Sequence, residues 1–143
     1  MKIYNKKLFF CLTAMLLSPF SFADNQIVYY DPAQVKLKGV VEIQTFPGPP
    51  NYESIQKGDE MERGAYLRLY QPIDVNLILI ATNEINEPEK NIKIIQIADI
   101  NDVDWKKFLK KGKHIQITGT LFHRFTGHHH TRVLIDVKQI EKV

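Results

Sequence analysis

The sequence predicts a mainly β protein, a five-stranded OB-like Greek-key barrel with one helix between its third and fourth strands. Three observations lead there. Five short segments alternate apolar and polar residues with a period of two. One stretch with helical spacing falls between the third and fourth of them. The first and fourth segments each carry an internal glycine. An OB fold is a five-stranded, partly open Greek-key barrel, and its helix occupies that slot. A plain β-sandwich also accommodates short alternating strands and is the competing architecture.

Residues 1–23 read as a cleavable export signal. Lys2, Lys6 and Lys7 supply a positive start, Leu8 to Leu17 is uncharged and apolar, and Ser21-Phe22-Ala23 places small residues before a cleavage point at Asp24. The apolar run is shorter than the roughly 20 residues a membrane span requires. Cys11 is followed by Leu12 and closes no lipobox. It is the sole cysteine, so residues 24–143, a single domain, form no internal disulfide and rely on one hydrophobic core. The chain carries 19 Lys+Arg against 16 Asp+Glu, and removing the leader's three lysines leaves 16 against 16. A neutral mature domain lacks the positive field of a general nucleic-acid binder, so that partner class is disfavoured. A bacterial periplasmic or secreted destination is expected, with no membrane span after cleavage.

After a lead-in over residues 24–34, Val35, Leu37, Gly39, Val41 and Ile43 share one strand face while Lys36, Lys38, Glu42 and Gln44 share the other. Gly39 marks a bend or bulge. The segment Phe46–Arg63 cannot continue a ladder, because Pro47, Pro49 and Pro50 remove donors. Ala65, Leu67 and Leu69 then alternate with Tyr66, Arg68 and Tyr70 in a second strand that Pro72 is expected to end. Residues 76–80 either extend it or form a further strand, and Thr82 to Lys90 reads as a polar turn. Ile92, Ile94, Ile95 and Ile97 make a buried third strand. Asn101 or Asp102 can cap the helix, Trp105, Phe108 and Leu109 form its apolar stripe, and Gly112 stops it. The fourth strand alternates Ile115, Ile117, Gly119 and Leu121 with polar residues, and Val133, Ile135 and Val137 line the last.

In an OB arrangement, ligands lie against strands two and three between the loops joining strands one to two and four to five. Here those loops are the two unusual segments, Phe46–Arg63 and His123–Thr131. His128-His129-His130 supplies imidazoles suited to zinc or copper. On extended chain only His128 and His130 can share a side. Carboxylates at Glu53, Asp59 or Glu60 are the nearest candidates across the gap, although the spacing matches no metal motif. Tyr52 and Phe125 are aromatic anchors, and three prolines stiffen the first loop, which lowers the entropy lost on binding. Phe46 reads as a cover for the end of the sheet. A stacking surface of Tyr29, Tyr30, Tyr66 and Tyr70 is outweighed by the neutral charge. Ser54 with Glu53 and a loop histidine is the one imaginable nucleophile set, and no nucleophile elbow accompanies it.

Phe46-Pro47-Gly48-Pro49-Pro50-Asn51-Tyr52-Glu53-Ser54-Ile55 with Gly58-Asp59-Glu60, followed by Thr126-Gly127-His128-His129-His130-Thr131, resembles the bacterial exported proteins grouped as domain-of-unknown-function family 4431. The resemblance extends over Val35 to Val137. It implies a small exported OB-like domain with those two loops as its signature, and it supplies no activity, ligand or catalytic residue. Ile73-Asp74-Val75 stands where the resemblance leads one to expect a cysteine.

The leading expectation is a non-enzymatic periplasmic binding module. It would recognise an envelope protein or small envelope ligand through Tyr52, Glu53, Asp59, Phe125, His128 and His130. An inhibitor or immunity protein directed at an envelope-acting hydrolase is one form of this reading. The alternatives are a zinc- or copper-binding protein using His128 and His130, and a hydrolase of envelope polymers.

Overall fold

The computed structural model describes residues 24–78, 85–98 and 105–143. The chain is mainly β, with six strands: β1 (Gln26–Tyr29), β2 (Gln34–Pro47), β3 (Met61–Asn76), β4 (Glu89–Ala98), β5 (His114–His123) and β6 (Val133–Lys142). Their order in the sheet is β1-β3-β2-β5-β6-β4, and β3 also pairs with β4. The ladder that runs β3-β2-β5-β6-β4 therefore returns to β3. The β1–β3 and β4–β6 pairs are parallel and the rest antiparallel.

Alternation decides which faces meet. Val35, Leu37 and Val41 of β2, Leu67 of β3, Ile95 of β4, and Ile117 and Leu121 of β5 are all buried in one core. Lys36, Lys38 and Arg68 on the opposite faces point outward, as a period of two requires, whereas Tyr66 and Thr120 are buried. Gly39 pairs with Leu69 on one side and Ile115 on the other. A Cβ there would stand 2.1 Å from the carbonyl oxygen of Arg68, and one at Gly119 would stand 2.1 Å from that of Asp136. Both glycines let a neighbouring strand come close. Only Gly119 coincides with a register shift, between Thr118 and Gly119.

The structure corrects the sequence reading in five places. The break expected over Phe46–Arg63 is narrower: Phe46 and Pro47 end β2 and Met61 to Arg63 begin β3, with Phe46 opposite Glu62 and Pro47 opposite Met61. The lead-in contributes a sixth strand: residues 26–29 lie parallel to residues 73–76 of β3. Tyr30 follows it into the core and donates its hydroxyl to the Glu87 carbonyl at 2.8 Å. Pro72 does not end β3. It falls after the β2 pairing stops at Leu69, before the β1 pairing starts at Ile73, and inside the β3–β4 register shift between Arg68 and Ile73. Its missing N–H therefore interrupts no ladder bond. The strand runs on to Asn76, and Glu89 and Lys90 belong to β4 rather than to the preceding turn. Of the undecided residues 76–80, Asn76 ends β3, Leu77 and Ile78 lie beyond it outside any strand, and 79–80 lie outside the described residues.

Among the described residues the expected helix does not form between β4 and β5. Its proposed caps lie at 101–104, outside the described residues, and Trp105 to Lys111 makes turns. Lys110 N–H donates to Phe108 and Gly112 N–H donates to Val41 of β2 at 2.8 Å. Those donors are thus spent on short turns and on the sheet rather than on a continuing helical ladder. Trp105, Phe108 and Leu109 still pack against the core. The expected export signal over residues 1–23, with Cys11, also lies outside the described residues. Among the described residues no helix is long and apolar enough to cross a membrane.

Candidate functional site

The loop between β2 and β3 is organised by Asp59. Its buried carboxylate accepts hydrogen bonds from the amides of Asn51, Glu53 and Ser54 and from the Asn51 side chain, at 2.8–3.1 Å. The Ser54 and Glu53 amides above all hold its carboxyl below the usual carboxylate range. Tyr52 sits between these contacts with φ 59, in the left-handed region that a bulky residue adopts only where its surroundings impose it.

The side chain of Gln96 in β4 holds two backbone groups of the loop between β5 and β6. Gln96 donates to the His128 carbonyl at 2.9 Å and accepts from the His130 amide at 2.7 Å. Within the loop, Phe125 N–H donates to His129 Nδ1 at 3.1 Å, and the two rings meet edge to face at 4.6 Å.

Glu62, the second residue of β3, ties the loops together. Its Oε1 lies 2.5 Å from His128 Nδ1 and its Oε2 lies 2.9 Å from His130 Nε2. The other nitrogen of His128 meets the Tyr52 hydroxyl at 2.9 Å. A neutral His128 with its proton on Nδ1 satisfies both contacts, donating to Glu62 and accepting from Tyr52. Phe46, directly opposite Glu62 in the β2–β3 ladder, stacks on the His130 ring at 4.3 Å and 5°. The Tyr52 ring covers Gly127, where a Cβ would stand 2.9 Å from it. Burial pushes the Glu62 carboxyl up, but the hydrogen bonds and charge of the two histidines outweigh it and leave the group below its ordinary value.

Beneath this tie lies Tyr66. It is fully buried, its ring is 5.7 Å from Phe46, and its hydroxyl has no hydrogen-bond partner. Burial and the nearby Glu62 charge push that hydroxyl up to about 12. Glu62, Tyr66, Gln96 and the three histidines line a cleft of about 270 Å³.

The structure therefore brings Tyr52, His128 and His130 together and places Phe125 exposed on the same loop. Asp59 is turned into its own loop, and among the described residues the Glu53 carboxylate has no hydrogen bond or ion pair to a histidine. The acid that does so is Glu62, which lies in the Phe46–Arg63 segment but was not among the candidate carboxylates. Gln96 was also missed, and Phe46 packs on His130 as well as covering the sheet. Sixty-six positions separate Glu62 from His128, and no local spacing carries that pairing. His123 is engaged elsewhere, at 3.1 Å from Glu89, which also holds Arg132 at 2.9 Å. The Ser54 hydroxyl donates to Gln56. Among the described residues no group of three or more His, Cys, Asp or Glu is placed to hold a metal ion.

Fold and site together define a mainly β domain with two irregular loops tied over one shared rim. Residues 94–141 match the family model described as Domain of unknown function (DUF4431), a span that takes in the second half of β4, all of β5, the triple-histidine loop and nearly all of β6. The chain is similar to that family there, and the proline-rich loop lies outside the match, which is narrower than the resemblance read from the sequence. No curated protein and no solved structure gives a significant match.

Proposed function

We propose that this chain is a non-enzymatic binding module on an OB-type barrel, which recognises an envelope protein or small envelope ligand after export. The contact surface is the rim made by residues 46–63 and 123–131. The cyclic ladder with a parallel β4–β6 pair supports the barrel reading, and on an OB barrel these two irregular loops would occupy the usual binding positions.

One observation carries the proposal: a single carboxylate, Glu62, grips both histidines of one loop while Tyr52 of the other grips His128. Loops held in place before contact lose less conformational entropy on binding. Met61 and Phe125, 68% and 61% exposed, stand on the two tied segments as apolar anchors of the kind recognition surfaces favour.

The same hydrogen bonds argue that the histidines are ties rather than metal ligands, since both nitrogens of His128 and Nε2 of His130 are engaged. Calorimetric titration with zinc or copper is expected to give no saturable heat. Heat that disappears in a His128→Ala/His130→Ala variant restores the metal reading. For recognition itself, immobilised protein is exposed to envelope extract beside a Met61→Ser/Phe125→Ser variant with an unchanged β spectrum. A partner retained by the native chain and lost by the variant supports the rim. Equal retention by both removes it.

A further inference from the structure

A second concavity lies away from the histidine tie, between β2, β3 and the turns that follow Trp105. Its volume is about 580 Å³, within the roughly 300–1,000 Å³ of small-molecule sites. Ile43, Ala65 and Leu109 supply apolar surface, and the remaining lining side chains are Arg63, Lys106, Lys110 and Lys111. Among the described residues none of those four cationic side chains has a hydrogen bond or an ion pair. Lys107, between them in sequence, is placed differently, with its Nζ 5.2 Å over the Phe108 ring.

The chemistry of this lining is asymmetric. Among the described residues it contains no carboxylate, hydroxyl or amide side chain, so they offer a ligand body apolar contact only. Four exposed cations with no partner among the described residues, three of them clustered within six residues, offer an anionic end group electrostatic attraction. The aliphatic stems of the lysines extend the apolar surface toward the charges. We propose that this cavity binds a single-chain fatty acid, with the chain against Ile43, Ala65 and Leu109 and the carboxylate among Lys106, Lys110, Lys111 and Arg63.

The test uses dodecanoate below its micellar concentration, with dodecyltrimethylammonium and acetate as comparisons, on the full exported chain. Amide spectra report at Ile43, Ala65 and Leu109, and Trp105, the sole tryptophan, gives an independent fluorescence readout. Dodecanoate is expected to give saturable shifts at those amides. The cationic amphiphile and acetate are expected to give none at the same concentration. Lys106 and Lys110 are exposed, so a Lys106→Glu/Lys110→Glu variant keeps its fold and weakens dodecanoate binding at least tenfold. A Leu109→Ser variant weakens it while leaving the charges in place. Equal shifts with acetate, equal shifts with the cationic amphiphile, or double-variant binding within twofold of native each overturn the proposal. None of these readouts depends on the tied rim.

Discussion

The hydroxyl of Tyr52 and Nε2 of His128 meet at 2.9 Å across 76 positions of sequence. Each residue is also held by something else: Tyr52 by a loop that imposes φ 59 on it, His128 by the carboxylate of Glu62. The contact therefore joins two loops that are each already ordered, and it costs little additional entropy.

Removing that hydroxyl tests the tie. Tyr52→Phe keeps the ring over Gly127 and loses only the bond, at a cost of about 0.5–1.5 kcal/mol. Urea unfolding is expected to show the loss, and amide exchange over residues 124–131 is expected to quicken. Exchange unchanged in that loop means that the bond does not order it.

Tyr66 supplies a prediction of opposite sign. Its buried hydroxyl has no partner, and an unsatisfied buried polar group costs about 1–3 kcal/mol. Tyr66→Phe is therefore expected to raise stability by about 1 kcal/mol, seen as a higher urea midpoint with an unchanged slope. A destabilised variant shows that the hydroxyl has a partner in solution.

The Glu62 carboxyl is depressed from its ordinary value near 4.5. A carboxyl lowered on folding stabilises the native state above its unfolded value, and that contribution disappears as pH falls through the lower folded value. Glu62→Gln removes the titration. Its stability is expected to fall less steeply than that of the native chain below about pH 4.5, and NMR titration is expected to show altered His128 and His130 resonances. Parallel acid limbs for the two proteins contradict this assignment.

Close approach at Gly39 and Gly119 leaves no space for a methyl group, since backbone oxygen stands 2.1 Å from each added Cβ. Gly39→Ala and Gly119→Ala are each expected to cost about 3 kcal/mol or more. Gly58→Ala is the control: its φ is +106 with nothing within 4 Å, so only backbone strain of about 1 kcal/mol is at stake. Equal midpoints for all three in thermal unfolding would show that the strands are not so close.

The strand faces were legible because half-buried strands repeat every two residues, and Val35-Leu37-Gly39-Val41 announces its inner face without reference to any partner. The helix was misread for a related reason. Trp105, Phe108 and Leu109 have the spacing of a helical stripe, but that spacing reports only which side chains turn inward. Gly112 bonded to Val41 decides what the backbone does. β1 escaped notice because four residues become a strand only when an edge is available, and that edge is residues 73–76 of β3.

The sequence by itself determined most inward and outward strand faces, the two strands that carry an internal glycine, and the two connections that break the alternation. Those are local properties, set by side-chain volume, branching and the absence of a Cβ or an N–H. Which acid holds His128 and His130 was decided by tertiary structure alone. Glu53, Asp59, Glu60 and Glu62 carry the same carboxylate, and hydrogen bonding discriminates among them by fractions of an ångström. Those distances exist only once the ladder has placed Glu62 opposite Phe46 and laid the histidine loop across it.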